Sequence, residues 1–174
     1  VLVGHSERRH MFREPDEWMG KKMQAALTHH LLPVLCIGET LDERRGNRTN
    51  TVLKRQLESG FEFVKPNDIH RVTIAYEPVW AIGTGKNAFG ADAAAMADAI
   101  RASLRNLGWG EGADATPVLY GGSVTSANIG EFLAEPGVDG ALIGGASLKP
   151  DEMAGIAARS PSSGSTITMT ARPG

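Results

Sequence analysis

Short apolar runs alternate along the chain with longer stretches in which apolar residues recur at helical spacing. Val1-Leu2-Val3 predicts a buried strand that ends at Gly4. Over 16–32, Trp18, Met19, Met23, Ala26, Leu27 and Leu31 make one apolar helix face. Pro15, Asp16 and Glu17 suit its first turn, where a missing N–H costs nothing and acids complement the helix dipole. Pro33 to Ile37 predicts a second strand, closed by Gly38. A polar loop from Asp42 to Asn50 leads to a second amphipathic stretch with Val52, Leu53, Leu57, Phe61 and Val64. Arg71 to Tyr76 is the third strand, and a Gly-rich loop, Ile82 to Gly85, follows it. Over 91–107, Met96, Ala97, Ile100, Leu104 and Leu107 share a face, with Gly108 placed to end the helix. Pro117 to Tyr120 and Val138 to Ile143 are the last two strands, each broken by a glycine pair. A short helix around Ile129, Phe132 and Leu133 lies between them, and another over 150–158 follows.

Strict alternation of strand and helix predicts a parallel sheet covered by helices, built here from consecutive βα units. The strands read as continuous apolar runs, as strands buried on both faces do. One domain is expected over 1–158. Residues 159–174 break the pattern: Arg159 to Ser165 is polar and Ser-rich, and Thr166 to Thr170 is a strand-like run with no partner unit. That composition predicts a disordered tail.

Composition narrows the function classes. The 174 residues carry 18 Lys+Arg against 20 Asp+Glu, so no excess of basic charge points to a nucleic-acid partner. No apolar run approaches the ~20 residues that span a bilayer, so no membrane partner is expected. Cys36 is the one cysteine, which excludes an internal disulfide and fits a reducing compartment. The chain opens on Val1 rather than Met, directly on an apolar run.

Candidate chemistry sits at the strand ends, where parallel α/β folds face their ligands. His5 follows the first strand, with the Glu7 carboxylate nearby; a lone histidine there is read equally well as structural. Glu77 ends the third strand and is followed by Pro78, an apolar run from Val79 to Ile82, and Gly83-Thr84-Gly85. A carboxylate so placed suits proton transfer, and the stretch after it has the make-up of a hinged lid. An ordinary βα loop with a surface acid has the same composition. A P-loop is excluded, because Trp80 and Asn87 stand where it needs Gly and Ser or Thr. A dinucleotide fingerprint fails at Ala88. Gly121-Gly122-Ser123 and Gly144-Gly145 end the last two strands. Each pair alone is a tight turn; together, with the short helix near Ala146-Ser147-Leu148, they favour a phosphate site. His10, His29 and His30 have no acid or cysteine at ligand spacing, so no metal site is read there.

Five stretches carry a resemblance. They are Gly4 to Arg9, Cys36 to Glu39, Ala75 to Lys86, Tyr120 to Val124 and Asp139 to Leu148. In order and spacing, from residue 1 to about 158, they resemble the triosephosphate isomerases. The resemblance implies part of a (β/α)8 TIM barrel, its last five βα units, acting on dihydroxyacetone phosphate and glyceraldehyde 3-phosphate. By that likeness Glu77 is the base, and His5 is the neutral electrophile known for the family. Gly83, Ser123, Gly144 and Gly145 bind the substrate phosphate. Residues 78–84 are the lid whose gating is established for the family. Glu7 supports the site from behind, Trp80 leaves Glu39 as the lid moves, and Arg101 pairs with Asp139. Neither cofactor nor metal is implied. The family implies a small-molecule triose phosphate partner, a homodimer and a cytoplasmic place.

The departures bear on activity. Val1 corresponds to the family's fourth strand, and a complete barrel runs to ~250 residues. The family's Asn and Lys at the end of its first strand, and its third βα loop, which reaches across the dimer interface, have no counterpart here. The chain is therefore expected to be truncated, inactive alone and a poor dimer former. Its inner sheet face and its first edge are expected to be exposed. The alternative is a non-catalytic part-barrel module that binds phosphorylated ligands or needs a complementing chain.

Overall fold

The computed structural model describes residues 1–82 and 88–160, and the backbone of 166–169. Its strands are β1 (Leu2–Val3), β2 (Val34–Ile37), β3 (Thr73–Tyr76), β4 (Val118–Tyr120), β5 (Gly140–Ile143) and β6 (Thr166–Met169). They form one sheet in sequential order, every pair parallel. The helices are α1 (Ser6–His10), α2 (Glu17–Thr28), α3 (Leu41–Arg45), α4 (Thr49–Phe61), α5 (Gly90–Asn106), α6 (Glu111–Ala115), α7 (Ile129–Leu133) and α8 (Pro150–Arg159). The arrangement is a curled half-barrel: the parallel sheet is what the alternation predicts, and its curling into part of a barrel is what the resemblance implies.

Side chains alternate across a strand, so each face of the sheet has its own core. Val3, Leu35, Ile37, Ile74, Tyr76, Val118, Tyr120, Ala141 and Ile143 point outward into one large cluster. The helices fill that cluster from outside: Met19, Met23 and Leu27 of α2, Leu53, Leu57 and Phe61 of α4, Ala97, Ile100 and Leu104 of α5. These recur every three or four residues, which is why the segments are helices with one buried side. The other face carries Cys36, Ala75, Leu119 and Leu142, with Leu2 and Val34 packed against them.

Three expectations are corrected. The inner face is not exposed: Cys36, Ala75 and Leu119 are 0% accessible and Leu142 is 3%. Curling brings the concave side chains of neighbouring strands against one another, and these ones are small or medium in size. The polar stretch after Gly38 is not all loop, since α3 forms there. Thr40 caps it, accepting from the Glu43 N–H at 3.3 Å while the Glu43 carboxylate accepts from the Thr40 N–H at 2.8 Å. The spacing Thr-x-x-Glu is the legible signal for that helix. Within the tail, residues 166–169 have a partner: β6 lies parallel to β5. The first edge is as expected, because among the described residues β1 pairs only with β2.

The predicted pairing of Arg101 with Asp139 is present at 2.6 Å. The same carboxylate oxygen accepts the Val118 N–H at 2.7 Å, which ties α5 to the starts of β4 and β5. Among the described residues, no helix is long and apolar enough to cross a membrane.

Candidate active site

His5 leaves β1 and caps α1, with its ring nitrogen Nδ1 accepting the Glu7 N–H at 3.4 Å. A ring nitrogen that accepts carries no proton, so this bond assigns the proton of a neutral imidazole to Nε2. Nε2 stands 3.0 Å from Glu77 Oε1. The other carboxylate oxygen, Oε2, accepts the Ser6 N–H at 3.1 Å. The Glu77 side chain is 4% exposed and the His5 side chain 21%, so the acid lies beneath and the imidazole at the surface.

Backbone close approach makes this possible. The Glu77 N–H donates to the Ile37 carbonyl at 2.7 Å, and the Gly121 N–H donates to the Tyr76 carbonyl at 2.7 Å. A Cβ on Gly38 would lie 1.8 Å from the Glu77 carbonyl oxygen, and one on Gly121 would lie 3.0 Å from Glu77 Cγ. Only glycine at 38 lets these strand ends sit side by side. Gly38 is itself pinned by Gln56 of α4, which accepts its N–H at 2.8 Å and donates to its carbonyl at 3.4 Å. Gln56 is 4% exposed. A polar residue on the apolar stripe of α4 was its only sequence signal.

Cys36 sits beneath the pair on the concave face. Burial, and then the Glu77 carboxylate, push its thiol well up. It is therefore a neutral packing residue rather than a nucleophile.

Glu39 anchors the segment after Glu77. It is fully buried and accepts from Trp80 Nε1 at 2.9 Å, from the Tyr76 hydroxyl at 3.1 Å and from Arg44 at 3.3 Å. The Arg44 guanidinium also lies over the Trp80 ring, 4.6 Å from its centre. Val79–Ala81 forms a single 3-10 turn with Ala81 buried. The Trp80–Glu39 contact expected of the resting lid is thus in place. Gly83, Thr84, Gly85 and Lys86 lie outside the described residues, so of the four expected phosphate-binding positions three are placed.

Those three, Ser123, Gly144 and Gly145, line one cleft of about 480 Å3 together with His5. Glu7, Lys149 and Glu152 bring charge to its walls. Glu152 Oε2 accepts the Ser126 N–H at 3.0 Å, which ties the two glycine turns together. That N–H and the Ser126 hydroxyl hold the Glu152 carboxyl below the usual carboxylate range. Asn128 braces the same loop, donating to the Ser123 carbonyl at 2.9 Å and accepting the Thr125 N–H at 2.8 Å. The two glycine turns border the cleft beside His5, and Glu77 lies behind His5 in contact with its Nε2, an arrangement that can move a proton beside a bound anion.

Residues 1–160 match the family described as triosephosphate isomerase. The chain belongs to the triosephosphate isomerase family. It is 52% identical over 151 residues to the triosephosphate isomerase of Roseiflexus sp. (strain RS-1), covering 87% of this chain and 59% of that protein. It is 48% identical over 158 residues to that of Symbiobacterium thermophilum, covering 91% of this chain and 62% of the relative. It is 47% identical over 156 residues to that of Caldanaerobacter subterraneus subsp. tengcongensis, covering 90% and 63%. The chain thus spans about three fifths of the length of these triosephosphate isomerases.

Proposed function

We propose that this chain forms the catalytic side of a triose-phosphate isomerase, interconverting dihydroxyacetone phosphate and D-glyceraldehyde 3-phosphate through an enediolate. The observation that carries the reading is the 3.0 Å pairing of His5 Nε2 with Glu77 Oε1, with His5 also lining the cleft of Ser123, Gly144 and Gly145. Substrate enters between the two side chains and replaces their mutual contact. Glu77 takes a proton from the carbon beside the carbonyl and returns it to the neighbouring carbon. The Nε2–H of His5 donates to the oxygens on which charge develops. Backbone N–H groups at Gly83, Ser123, Gly144 and Gly145 hold the phosphate. The acid–base steps balance without a cofactor or metal.

The 174 residues by themselves carry no counterpart of the family's first-strand lysine. Loss of one such charged contact commonly lowers a rate by ~10²–10³, so this chain alone is expected to be nearly inactive. In the complete protein the reading includes the family's homodimer, for which Met11 and Phe12 present exposed apolar surface. A cytoplasmic place agrees with the single buried Cys36.

The test mixes this chain with one that supplies the first three βα units of a family relative. Turnover of glyceraldehyde 3-phosphate should appear on mixing. In that mixture Glu77→Asp draws the carboxylate back about 1 Å and should cost ~10²-fold in kcat with KM little changed. An unchanged kcat in Glu77→Asp, alongside its abolition in His5→Gln, reverses the two roles. Binding of inorganic phosphate with no turnover in the mixture favours the non-catalytic module instead.

A further inference from the structure

The cleft that His5, Ser123, Gly144 and Gly145 line is bordered by turns from two neighbouring strands. The β4–β5 ladder pairs Leu119 with Gly140 and Tyr120 with Ala141. Ser123 lies three residues past Tyr120, and Gly144 three past Ala141, so both turns project beyond this ladder. Their separation then depends on what spans them outside the sheet. α8 does so. It starts at Pro150, separated by Lys149 alone from the 3-10 turn Gly145–Leu148, and moves with that turn. Its first turn presents Glu152, whose Oε2 accepts the Ser126 N–H at 3.0 Å. Gly155 meets the same residue: a Cβ there would lie 2.7 Å from Ser126 Cβ. Residues three apart share one helix face, so a hydrogen bond and a close approach act on Ser126 together. Asn128 passes the restraint on to Ser123, donating to its carbonyl at 2.9 Å while accepting the Thr125 N–H at 2.8 Å.

Glu152 also stands on the cleft wall. On charge alone it opposes an anion there, and its removal would tighten anion binding. As a grip on the wall it acts the other way. A backbone N–H reaches an acceptor oxygen at about 2.7–3.2 Å, so a turn that drifts by about 1 Å loses the bond. The two effects of one carboxylate thus have opposite signs, which makes them separable.

We propose that Glu152 is a positioning residue, which together with the missing Cβ of Gly155 clamps α8 to Ser126 and fixes the Ser123 and Gly144–Gly145 turns at the separation that admits a phosphate group. The phosphate group rests on the isomerase reading of the cleft; the clamp does not.

Inorganic phosphate, titrated into the full 174-residue chain and its variants, is the probe. Glu152→Ala removes the like charge and the grip at once. It should weaken phosphate binding ~10-fold, about the contribution of one hydrogen bond. Glu152→Gln keeps an oxygen that can accept the Ser126 N–H, and should bind phosphate at least as tightly as the unaltered chain. Gly155→Ala keeps the carboxylate but drives a Cβ against Ser126, and should also weaken binding. Tighter or unchanged binding in Glu152→Ala overturns the proposal, because Glu152 would then act through its charge or not at all. Equal loss in Glu152→Gln and Glu152→Ala overturns it as well. Backbone amide chemical shifts, read without phosphate, test the clamp by itself. Those of 123–126 and of 144–147 should both move in Glu152→Ala and in Gly155→Ala; movement of 123–126 alone overturns the clamp. If the unaltered chain binds no phosphate while both sets move in the variants, the isomerase reading of the cleft fails and the clamp stands.

Discussion

His5 and Glu77 touch across a strand that lies between them. His5 follows β1 and Glu77 follows β3, yet Nε2 and Oε1 are 3.0 Å apart, because β2 ends in Gly38 and the sheet curls toward its concave side. The pair is therefore a property of three strand ends at once.

Gly38→Ala tests that dependence. The added Cβ would lie 1.8 Å from the Glu77 carbonyl oxygen, and backbone rather than a flexible side chain must move. The expected cost is about 1–3 kcal/mol in denaturant unfolding with an unchanged slope. Gly38→Ala with wild-type stability would mean that the two strand ends are looser than this geometry.

Gln56→Leu keeps the volume of the side chain and removes both bonds to Gly38. The Gly38 N–H and carbonyl are then left without these partners in a buried place, which costs about 1–3 kcal/mol. In the completed barrel kcat should fall more than KM rises, because the change reaches the base through its support. An equal effect of Gln56→Leu and of an unrelated core substitution on kcat would assign Gln56 to stability alone.

Trp80→Phe removes one donor from the fully buried Glu39 carboxylate while Tyr76 and Arg44 remain. A hydrogen bond to a charged group contributes about 1.5–3 kcal/mol. The unfolding free energy from urea titration should drop by that amount, read as a lower midpoint at an unchanged slope. Glu39→Gln should drop it as well, since the Arg44 guanidinium then keeps only Asp92, at 3.5 Å, of its two carboxylate partners among the described residues. No change in either variant would show that the segment after Glu77 is held elsewhere.

Alkaline pH should unfold the chain through its buried phenols. Burial pushes the Tyr120 hydroxyl up to about 12, and burial with the Glu39 carboxylate pushes Tyr76 higher still. Both are raised above the unfolded value near 10, so the unfolded chain ionises first as pH rises. Their contribution is complete below pH 10 and is lost from pH 10 upward through the folded values. For Tyr120 a rise of about two pKa units corresponds to about 2–3 kcal/mol. Tyr120→Phe should flatten the fall of stability between pH 10 and 12, followed by denaturant midpoint. The same slope in Tyr120→Phe and wild type would remove Tyr120 from the account.

Much was legible in the residues alone. Helical spacing in α2, α4 and α5, the apolar runs of β2 to β5 and the glycine turns after them are local patterns, and local patterns report which face of a segment is buried. The βα order follows from them, and from that order the parallel sheet. The placement of Glu77 at a strand end before an apolar, glycine-bounded loop was equally local. So was the Thr40-x-x-Glu43 cap of α3, although the polar composition around it read as loop.

What the tertiary structure alone decided are contacts between residues far apart in the chain. Glu77 meets His5, Ser6 and Gly121, Gln56 grips Gly38, and Glu39 gathers Trp80, Tyr76 and Arg44. The concave face, read from sequence as open, is closed over Cys36, Ala75, Leu119 and Leu142. The short run at 166–169, read as having no partner, found one on β5. Each of these depends on how far the sheet twists and curls, which is set by the packing of all its strands and helices together. No periodicity within a single segment encodes that curvature, so no segment taken alone could announce it.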